Sequence, residues 1–355
     1  MQIGILGLPK VGKTTLFNTL TASELETDKF SASKKTNVAV AKVPDSRLAR
    51  LRDLYKPKRY IPATVEYVDI PGLKKGEAKE SLDLAELRGV DALVHVVRAF
   101  EDEELLHSEG SIDPARDVET MDLELVLADY EIVERRIDRL KRASKGGLQA
   151  AEEKELGLLE GTILPTLENE KPLRSIELSP DDEKRLRGFQ LLSAKPILVV
   201  VNVSEDRVTE TPEDLGIQQD EHCQALLVSA TIEHEIAQLS EEEQREFLSD
   251  LGLEEPSLDR VLRASYELLG LISFFTVGED EVRAWTIRQG TVARDAAGVI
   301  HSDISRGFIR AEVVPWDELL RLGSTSKARD EGLLRLEGKE YLVKDGDVTH
   351  FRFNV

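Results

Sequence analysis

The sequence predicts an α/β chain: a mostly parallel sheet domain with an inserted helical, coiled-coil arm, followed by a small β-rich domain. Three observations support this prediction. The apolar runs 92–98 and 196–201 are typical of strands in a parallel sheet that is covered on both faces. Between residues 123 and 140, apolar side chains recur every three or four positions, as they do along one face of a helix. Beyond residue 272, short strands alternate with glycine-rich turns. The predicted bounds are 1–272 for the first domain, 122–194 for the arm inserted within it, and 273–355 for the last domain.

The composition limits the class of protein. The chain has 355 residues, of which 41% are apolar, so we expect two or three domains. No apolar run approaches the roughly 20 residues of a membrane span, and a strand follows Met1 directly. We therefore expect neither a membrane anchor nor a leader. Cys223 is the single cysteine, which excludes an intrachain disulfide and fits a reducing cytoplasm.

The charge of the chain is unevenly distributed. The formal net charge of −21 argues against DNA as a partner. Residues 34–59 are nevertheless rich in lysine and arginine. This basic segment is either a solvated charged face or a surface that approaches a polyanion such as ribosomal RNA.

Residues 7–14 read G-x-x-x-x-G-K-[ST], the pattern of a phosphate-binding loop. An apolar strand precedes the loop and a helical segment follows it, which is the setting that the motif requires. Glycines allow the main chain to fold around a phosphate, so that its N–H groups point at the anion. Lys13 is expected to reach the β- and γ-phosphates, and the Thr14 hydroxyl to ligate Mg²⁺. The predicted nucleotide contacts in this loop are Gly7, Pro9, Lys10, Val11, Gly12, Lys13, Thr14 and Thr15.

A second motif, D-x-x-G, occupies residues 69–72 at the end of another apolar strand. The motif is weak alone, but it is specific downstream of a phosphate-binding loop. Asp69 is predicted to hold Mg²⁺, often through water, and the Gly72 amide to sense the γ-phosphate. Lys13 and Gly72 are therefore candidate catalytic positions.

Two further strand ends carry candidates for base recognition. In guanine-nucleotide enzymes these positions read N-K-x-D and S-A. Here Ser229-Ala230 fits, whereas Asn202-Val203-Ser204-Glu205 has valine in place of lysine and a longer carboxylate in place of aspartate. A site without these partners loses discrimination for guanine, because polar edges of the base stay unpaired. The predicted base-side residues are Asn202, Val203, Glu205, Ser229 and Ala230.

The arm is predicted from a helical seam and the breaks that follow it. A glycine pair at 146–147 ends the first helix, a second helix spans about 150–168, and a third lies near 180–192. The arm either packs as a bundle or touches a partner, and the sequence leaves both readings open. The seam consists of Leu123, Val126, Tyr130, Val133, Ile137 and Leu140.

The order of these motifs resembles the Obg-like ATPase (YchF) family of P-loop GTPases and ATPases over nearly the whole chain. The most specific stretches, 273–278, 281–286 and 300–313, resemble that family's TGS domain, a small β-grasp domain. The resemblance implies that ATP is bound and hydrolysed in preference to GTP, that Mg²⁺ is required, and that the protein associates with the ribosome. It also implies slow turnover, since Leu73 stands where Ras-type GTPases place a catalytic glutamine.

Three stretches depart from the family pattern. Lys10 replaces an asparagine that helps to bind K⁺ in related enzymes, so its ammonium either substitutes for the ion or points into solvent. The switch motif N-Y-P-F-x-T is altered at 30–35, where Ser33 falls at the position of the Mg²⁺-ligating threonine and Thr36 is the alternative. The glycine-rich segment after D-x-x-G is shortened to 74–81.

Three functions fit these observations. The first is a slow ATPase whose nucleotide state sets its binding to ribosomes or translation factors. The second is a GTP-preferring enzyme of the related Obg type. The third is a nucleotide-sensing ribosome- or RNA-binding protein with negligible hydrolysis, which the divergent switch segments favour.

Overall fold

The computed structural model describes residues 1–21, 37–70, 83–102, 104–144, 147–219 and 223–354. The predicted site residues Ser33, Gly72 and Leu73 lie outside these ranges. The chain forms two compact units, which we call the nucleotide unit (1–39 and 66–261) and the C-terminal unit (40–65 and 262–355). Within the described residues, no helix is both long and apolar enough to cross a membrane.

The strands of the described residues group into two sheets of six. The first sheet has the order β2-β4-β1-β5-β6-β7 and the second the order β11-β10-β12-β8-β9-β3. The strands are β1 (Gln2–Leu6), β2 (Asn37–Lys42), β3 (Arg59–Ile61), β4 (Thr64–Asp69), β5 (Ala92–Ala99), β6 (Ile197–Val203), β7 (Cys223–Val228), β8 (Leu271–Val277), β9 (Glu281–Arg288), β10 (Phe308–Pro315), β11 (Arg335–Glu337) and β12 (Asp347–Phe353).

The described residues also form α-helices. They are α1 (Lys13–Thr21), α2 (Ser46–Tyr55), α3 (Asp83–Gly89), α4 (Pro114–Ala143), α5 (Ala150–Leu158), α6 (Leu164–Glu168), α7 (Pro180–Leu186), α8 (Ala230–Ile236), α9 (Glu241–Asp250), α10 (Ser257–Leu268), α11 (Ala293–Ile300), α12 (Ser302–Arg306), α13 (Trp316–Leu322) and α14 (Thr325–Asp330). A π-helical turn at Leu159–Ile163 joins α5 to α6.

The first sheet confirms the predicted parallel core. β4, β1, β5, β6 and β7 pair in parallel, and every residue of β5 and β6 is buried. This is why both strands read as unbroken apolar runs rather than as alternating ones. The carboxyl ends of parallel strands meet at one edge of a sheet, so the residues that end β1, β4, β5, β6 and β7 lie at the same edge.

The arm begins with α4, a helix of 30 residues that starts at the N-cap Asp113 and Pro114. Four residues of the predicted seam, Val126, Val133, Ile137 and Leu140, are buried, and the other two, Leu123 and Tyr130, are half-buried. The four buried residues pack with the second helix in one apolar cluster that includes Leu159, Ile163 and Leu167. The inserted helices thus have a core of their own, within the nucleotide unit.

A buried carboxylate on the first helix of the arm joins that helix to two other segments of the nucleotide unit. Asp129 of α4 has no exposed surface, and its oxygens accept hydrogen bonds from the main-chain N–H groups of Leu192 (2.9 Å) and Ser193 (2.7 Å). The Ser193 hydroxyl and the Arg88 guanidinium also donate to it, at 2.8 and 3.0 Å. Because Arg88 lies in α3, this group joins three separate parts of the nucleotide unit.

The C-terminal unit contains a segment, 40–65, that is distant from the rest of the unit in sequence. β3 pairs in parallel with β9. The guanidinium carbon of Arg47, in α2, lies 5.3 Å from the ring centroid of Phe275, and the same guanidinium forms an ion pair with Asp345. The predicted bounds treat 273–355 as one continuous domain, whereas this compact unit also contains 40–65. No local pattern in the sequence signals such a long-range pairing.

This placement revises the expectation for the basic segment. Lys58 forms an ion pair with Asp280 at 2.8 Å, and Arg59 lies 3.6 Å from Glu281. The positive charge at the end of the segment is therefore matched by carboxylates that are distant in sequence.

Candidate functional site

The loop between β1 and α1 has the close geometry that the glycine motif predicts. Gly7 and Gly12 have φ angles of 150° and 96°, in the region that favours glycine. A Cβ on Gly7 would lie 2.3 Å from the Val96 carbonyl oxygen, and one on Gly12 would lie 2.3 Å from Nδ2 of Asn202. Only glycine fits at either position, so the motif is a steric requirement of this loop.

Lys13 folds back over the loop. Its Nζ donates to the carbonyl oxygens of Gly7 at 2.9 Å and Leu8 at 2.7 Å, and the residue is 8% exposed. Burial lowers the pKa of Lys13 to about 8, and the Asp69 carboxylate opposes this shift. The ammonium group is thus held at the floor of the loop, where an anion would strengthen its charged form.

The loop opens into a cavity of about 1350 Å³ in the nucleotide unit. The cavity gathers side chains from the carboxyl ends of several strands, as expected of a ligand site in a parallel α/β sheet. The sequence-predicted residues that line it are Pro9, Lys10, Gly12, Lys13, Thr14, Thr15, Asp69, Asn202, Val203, Glu205 and Ala230. Gly7, Val11 and Ser229 do not line it; Val11 and Ser229 are 1% exposed and lie behind its surface.

Thr14 and Asp69 bring two oxygen groups to the same cavity. Burial raises the pKa of Asp69, while the Lys13 ammonium acts against that change. Across the described part of the chain, no group of three or more His, Cys, Asp or Glu side chains could hold a metal by itself. Mg²⁺ normally takes only one or two protein oxygens and completes its shell with phosphate and water. The pair therefore fits a magnesium ion that arrives with a nucleotide.

Asn202 connects two loops of the site. Its Nδ2 donates to the Val11 carbonyl at 3.1 Å, and its Oδ1 accepts from the Ala230 N–H at 3.1 Å. Asn202 is 7% exposed, so these bonds are shielded from water. The side chain that was predicted as a base contact also holds the phosphate-binding loop against the start of α8.

Val203 shows a second difference from expectation. Its side chain is 2% exposed and packs in the apolar cluster of Val201 and Leu215, on the face of β6 opposite Asn202. A strand alternates its side chains between faces, so Asn202 and Val203 extend from opposite faces of β6, although both residues contribute to the cavity lining at the end of this strand. The sequence predicts Val203 as a base-side residue in place of a packing lysine, and in the structure Val203 lines the cavity while most of its side chain is buried in this apolar cluster.

Several other residues that line the cavity belong to no sequence motif. Phe100, Glu101, Asp102 and Leu105 follow β5, which carries no motif but ends at the same edge as the phosphate-binding loop. The position of that strand end is the signal that could have found them. The remaining additions to the lining are Ile70, Ser204, Asp206, Thr231 and His234.

These features define a P-loop nucleoside triphosphatase: a glycine loop between strand and helix, a buried lysine, and an aspartate at the next strand end. A family model described as a 50S ribosome-binding GTPase matches residues 2–133, and the YchF GTPase C-terminal model, described as a protein of unknown function, matches residues 271–354.

The chain is 45% identical to the ribosome-binding ATPase YchF of Bacillus subtilis, over 100% of both chains. It is 46% identical to the protein of that name from Pasteurella multocida, covering 100% of this chain and 99% of that one. The solved structure of the Schizosaccharomyces pombe YchF GTPase aligns with a TM-score of 0.88 and 31% identity, covering 99% and 97% of the two chains. The chain belongs to the YchF family.

Proposed function

We propose that this chain is a Mg²⁺-dependent, slow, ATP-preferring nucleoside triphosphatase that binds ribosomes in a nucleotide-dependent manner in the cytoplasm. The proposal depends mainly on one observation: a single cavity contains both the phosphate-binding loop and residues 202–205, where the guanine-recognition motif is altered. Full-length similarity to proteins named ribosome-binding ATPase supports the ribosome as partner.

Each predicted residue has a role in this proposal. Lys13 neutralises the β- and γ-phosphates, and its pKa rises when they bind. Thr14 and Asp69, with Ser33 from the first switch segment, hold the Mg²⁺ ion, which supplies charge neutralisation at the phosphates. The Gly72 amide contacts the γ-phosphate. Leu73 cannot orient a water molecule, so intrinsic hydrolysis is slow.

The proposed preference for ATP follows from the absence of the lysine and the aspartate of the guanine-recognition motif at residues 203 and 205. A guanine site uses a lysine to cover the base and an aspartate to accept its two N–H groups. Val203 is a short apolar side chain that is 2% exposed, so it cannot extend over a base as a lysine does, and Glu205 carries a longer carboxylate. Guanine would therefore lose partners here, whereas adenine has fewer polar groups to satisfy.

A competition titration tests the choice of base. ATP and GTP displace a fluorescent ATP analogue from the intact chain in the presence of Mg²⁺, and we expect ATP to bind at least tenfold more tightly. Lys13→Ala is the reference that removes binding of both nucleotides. A clear GTP preference would overturn the ATPase assignment but not the family.

Sedimentation with ribosomes tests the partner. We expect co-sedimentation that differs between a non-hydrolysable ATP analogue and ADP, together with slow single-turnover hydrolysis that ribosomes accelerate. Lys13→Ala should lose the nucleotide dependence. If ribosomes neither bind the chain nor change its turnover, the proposed partner is wrong.

A GTP-preferring enzyme is the second candidate. Ser229-Ala230 matches the guanine-type motif, and the Ala230 N–H is held at the cavity by Asn202. The competition titration separates it from the first proposal. Negligible hydrolysis in the single-turnover assay, with tight nucleotide binding, would instead support a nucleotide-sensing binding protein.

A further inference from the structure

Arg98 is a fully buried cation at the end of β5. The residue is 2% exposed, and its guanidinium turns towards the loop that follows the strand. Nε donates to the Phe100 carbonyl at 3.0 Å, Nη1 to the Leu105 carbonyl at 2.8 Å, and Nη2 to the Asp102 carbonyl at 3.4 Å. A planar fork with several donors can hold three carbonyl groups at once, which the single ammonium of lysine cannot do in this geometry.

The same guanidinium supports an aromatic ring. The Arg98 Cζ lies 4.6 Å from the centroid of the Phe100 ring, within the range of a cation–π contact. The buried guanidinium of Arg98 therefore contacts one face of the Phe100 ring and restricts its orientation.

The loop that Arg98 shapes is part of the cavity wall. Phe100 and Leu105 line the cavity together with Val203 and Glu205, the two positions where the base-recognition motif is altered. Arg98 itself does not line the cavity. Its hydrogen bonds run to this loop and not to the phosphate-binding loop.

We propose that Arg98 is a positioning residue that fixes Phe100 and Leu105 as an apolar wall for the purine base. The proposal rests on the proposed nucleotide binding and adds the part of the chain that recognises the nucleoside. A flat base gains most from an aromatic ring that is already oriented, because no rotational freedom is lost on binding. Arg98 thereby sets affinity for the base while leaving the phosphate-binding loop unchanged.

Binding of two probes separates these contributions. ATP carries the base, whereas inorganic tripolyphosphate carries only the phosphates, and both are titrated calorimetrically with Mg²⁺. We expect Arg98→Lys to weaken ATP binding about tenfold, in line with the loss of one base–aromatic stacking contact. Tripolyphosphate binding should stay within about twofold of the unmodified chain. Arg321→Lys, an exposed arginine paired with Glu318, is the matched control and should change neither probe.

Phe100→Leu provides a second, independent variant. It should weaken ATP binding as Arg98→Lys does, and the double variant should be no weaker than the worse single one, because both act through the same ring. Equal weakening of ATP and tripolyphosphate would show that Arg98 only supports the fold, and unchanged ATP binding would also overturn the proposal. If the unmodified chain binds neither probe, the proposed function itself fails.

Discussion

Asn202 shows how a motif residue can serve the site by holding it together. Both ends of its amide are used within the protein, one on Val11 and one on Ala230. Each bond joins segments that are far apart in sequence. The residue thus stabilises the cavity before any nucleotide arrives.

Replacing Asn202 with alanine should therefore weaken both folding and binding. The Val11 carbonyl and the Ala230 N–H would be left buried without partners, so we expect the free energy of unfolding to fall by about 2 kcal/mol. ATP affinity should fall as well, because the two loops lose their link. Denaturant titration and calorimetry measure the two effects. Asn169→Ala, an exposed asparagine bonded to its own helix at Pro165, is the control and should change stability by less than about 0.5 kcal/mol.

Glu233 is a buried acid close to the cavity. It is 3% exposed, and its carboxylate accepts a hydrogen bond from the Ser257 N–H at 2.7 Å. Burial raises the pKa of Glu233 to about 7, although the hydrogen bonds from Ser257 and Leu258 act in the opposite direction. Between an ordinary glutamate pKa and pH 7, the folded chain therefore binds a proton that the unfolded chain does not.

Stability should consequently fall as the pH rises through this range. The difference between pH 5 and pH 8 that Glu233 contributes is at most about 3 kcal/mol. Glu233→Gln keeps an oxygen for Ser257 and carries no charge, so its free energy of unfolding should depend less on pH. Denaturant titrations at both pH values measure this. The exposed neighbour Glu235, changed to glutamine, should retain the full pH dependence; equal behaviour of the two variants would contradict the assignment.

At the scale of elements, the base of the arm depends on one carboxylate. Asp129 receives hydrogen bonds from α3 through Arg88 and from the segment before β6 through Leu192 and Ser193. The apolar seam of α4 defines the arm, but it does not determine how the arm joins the sheet. That junction is a polar contact between three elements.

Asp129→Ala should release this junction. Removal of a buried carboxylate leaves Arg88 and two main-chain N–H groups without a partner, which costs about 3–5 kcal/mol. Hydrogen exchange should rise at 190–194 and at the end of α3. The control is Asp138→Ala, an exposed position on the same helix that pairs with Arg142. If both variants have the same free energy of unfolding, the junction is not fastened by Asp129.

At the scale of the whole molecule, two compact units are built from interleaved segments. The chain leaves the nucleotide unit at residue 40, returns to it at 66 and leaves it again after 261. Both tryptophans, Trp285 and Trp316, lie in the C-terminal unit. Tryptophan fluorescence therefore reports on that unit alone, whereas circular dichroism reports on both.

This difference allows ligand binding to be assigned to one unit. ATP with Mg²⁺ at 100 times its Kd should stabilise the nucleotide unit by about 2.7 kcal/mol. We expect the unfolding midpoint measured by circular dichroism to rise, with a smaller rise in the tryptophan signal. Lys13→Ala should abolish both changes. Equal shifts of the two signals would mean that the units unfold as one.

The sequence by itself determined the features that have a local signature. The glycine loop, the buried strands β5 and β6 and the seam of α4 all follow from spacing and period. These patterns are readable because a strand, a helix or a tight loop constrains residues within a few positions of one another.

Only the tertiary structure decided which distant segments meet. It buried most of Val203 in an apolar cluster, used Asn202 as a link between loops, and brought Phe100 to the cavity, with Arg98 bonded to the loop behind it, without any motif. It also added 40–65 to the C-terminal unit and placed Lys58 and Arg59 beside carboxylates. Such contacts depend on the packing of strands and side chains that are far apart along the chain, so no local pattern records them.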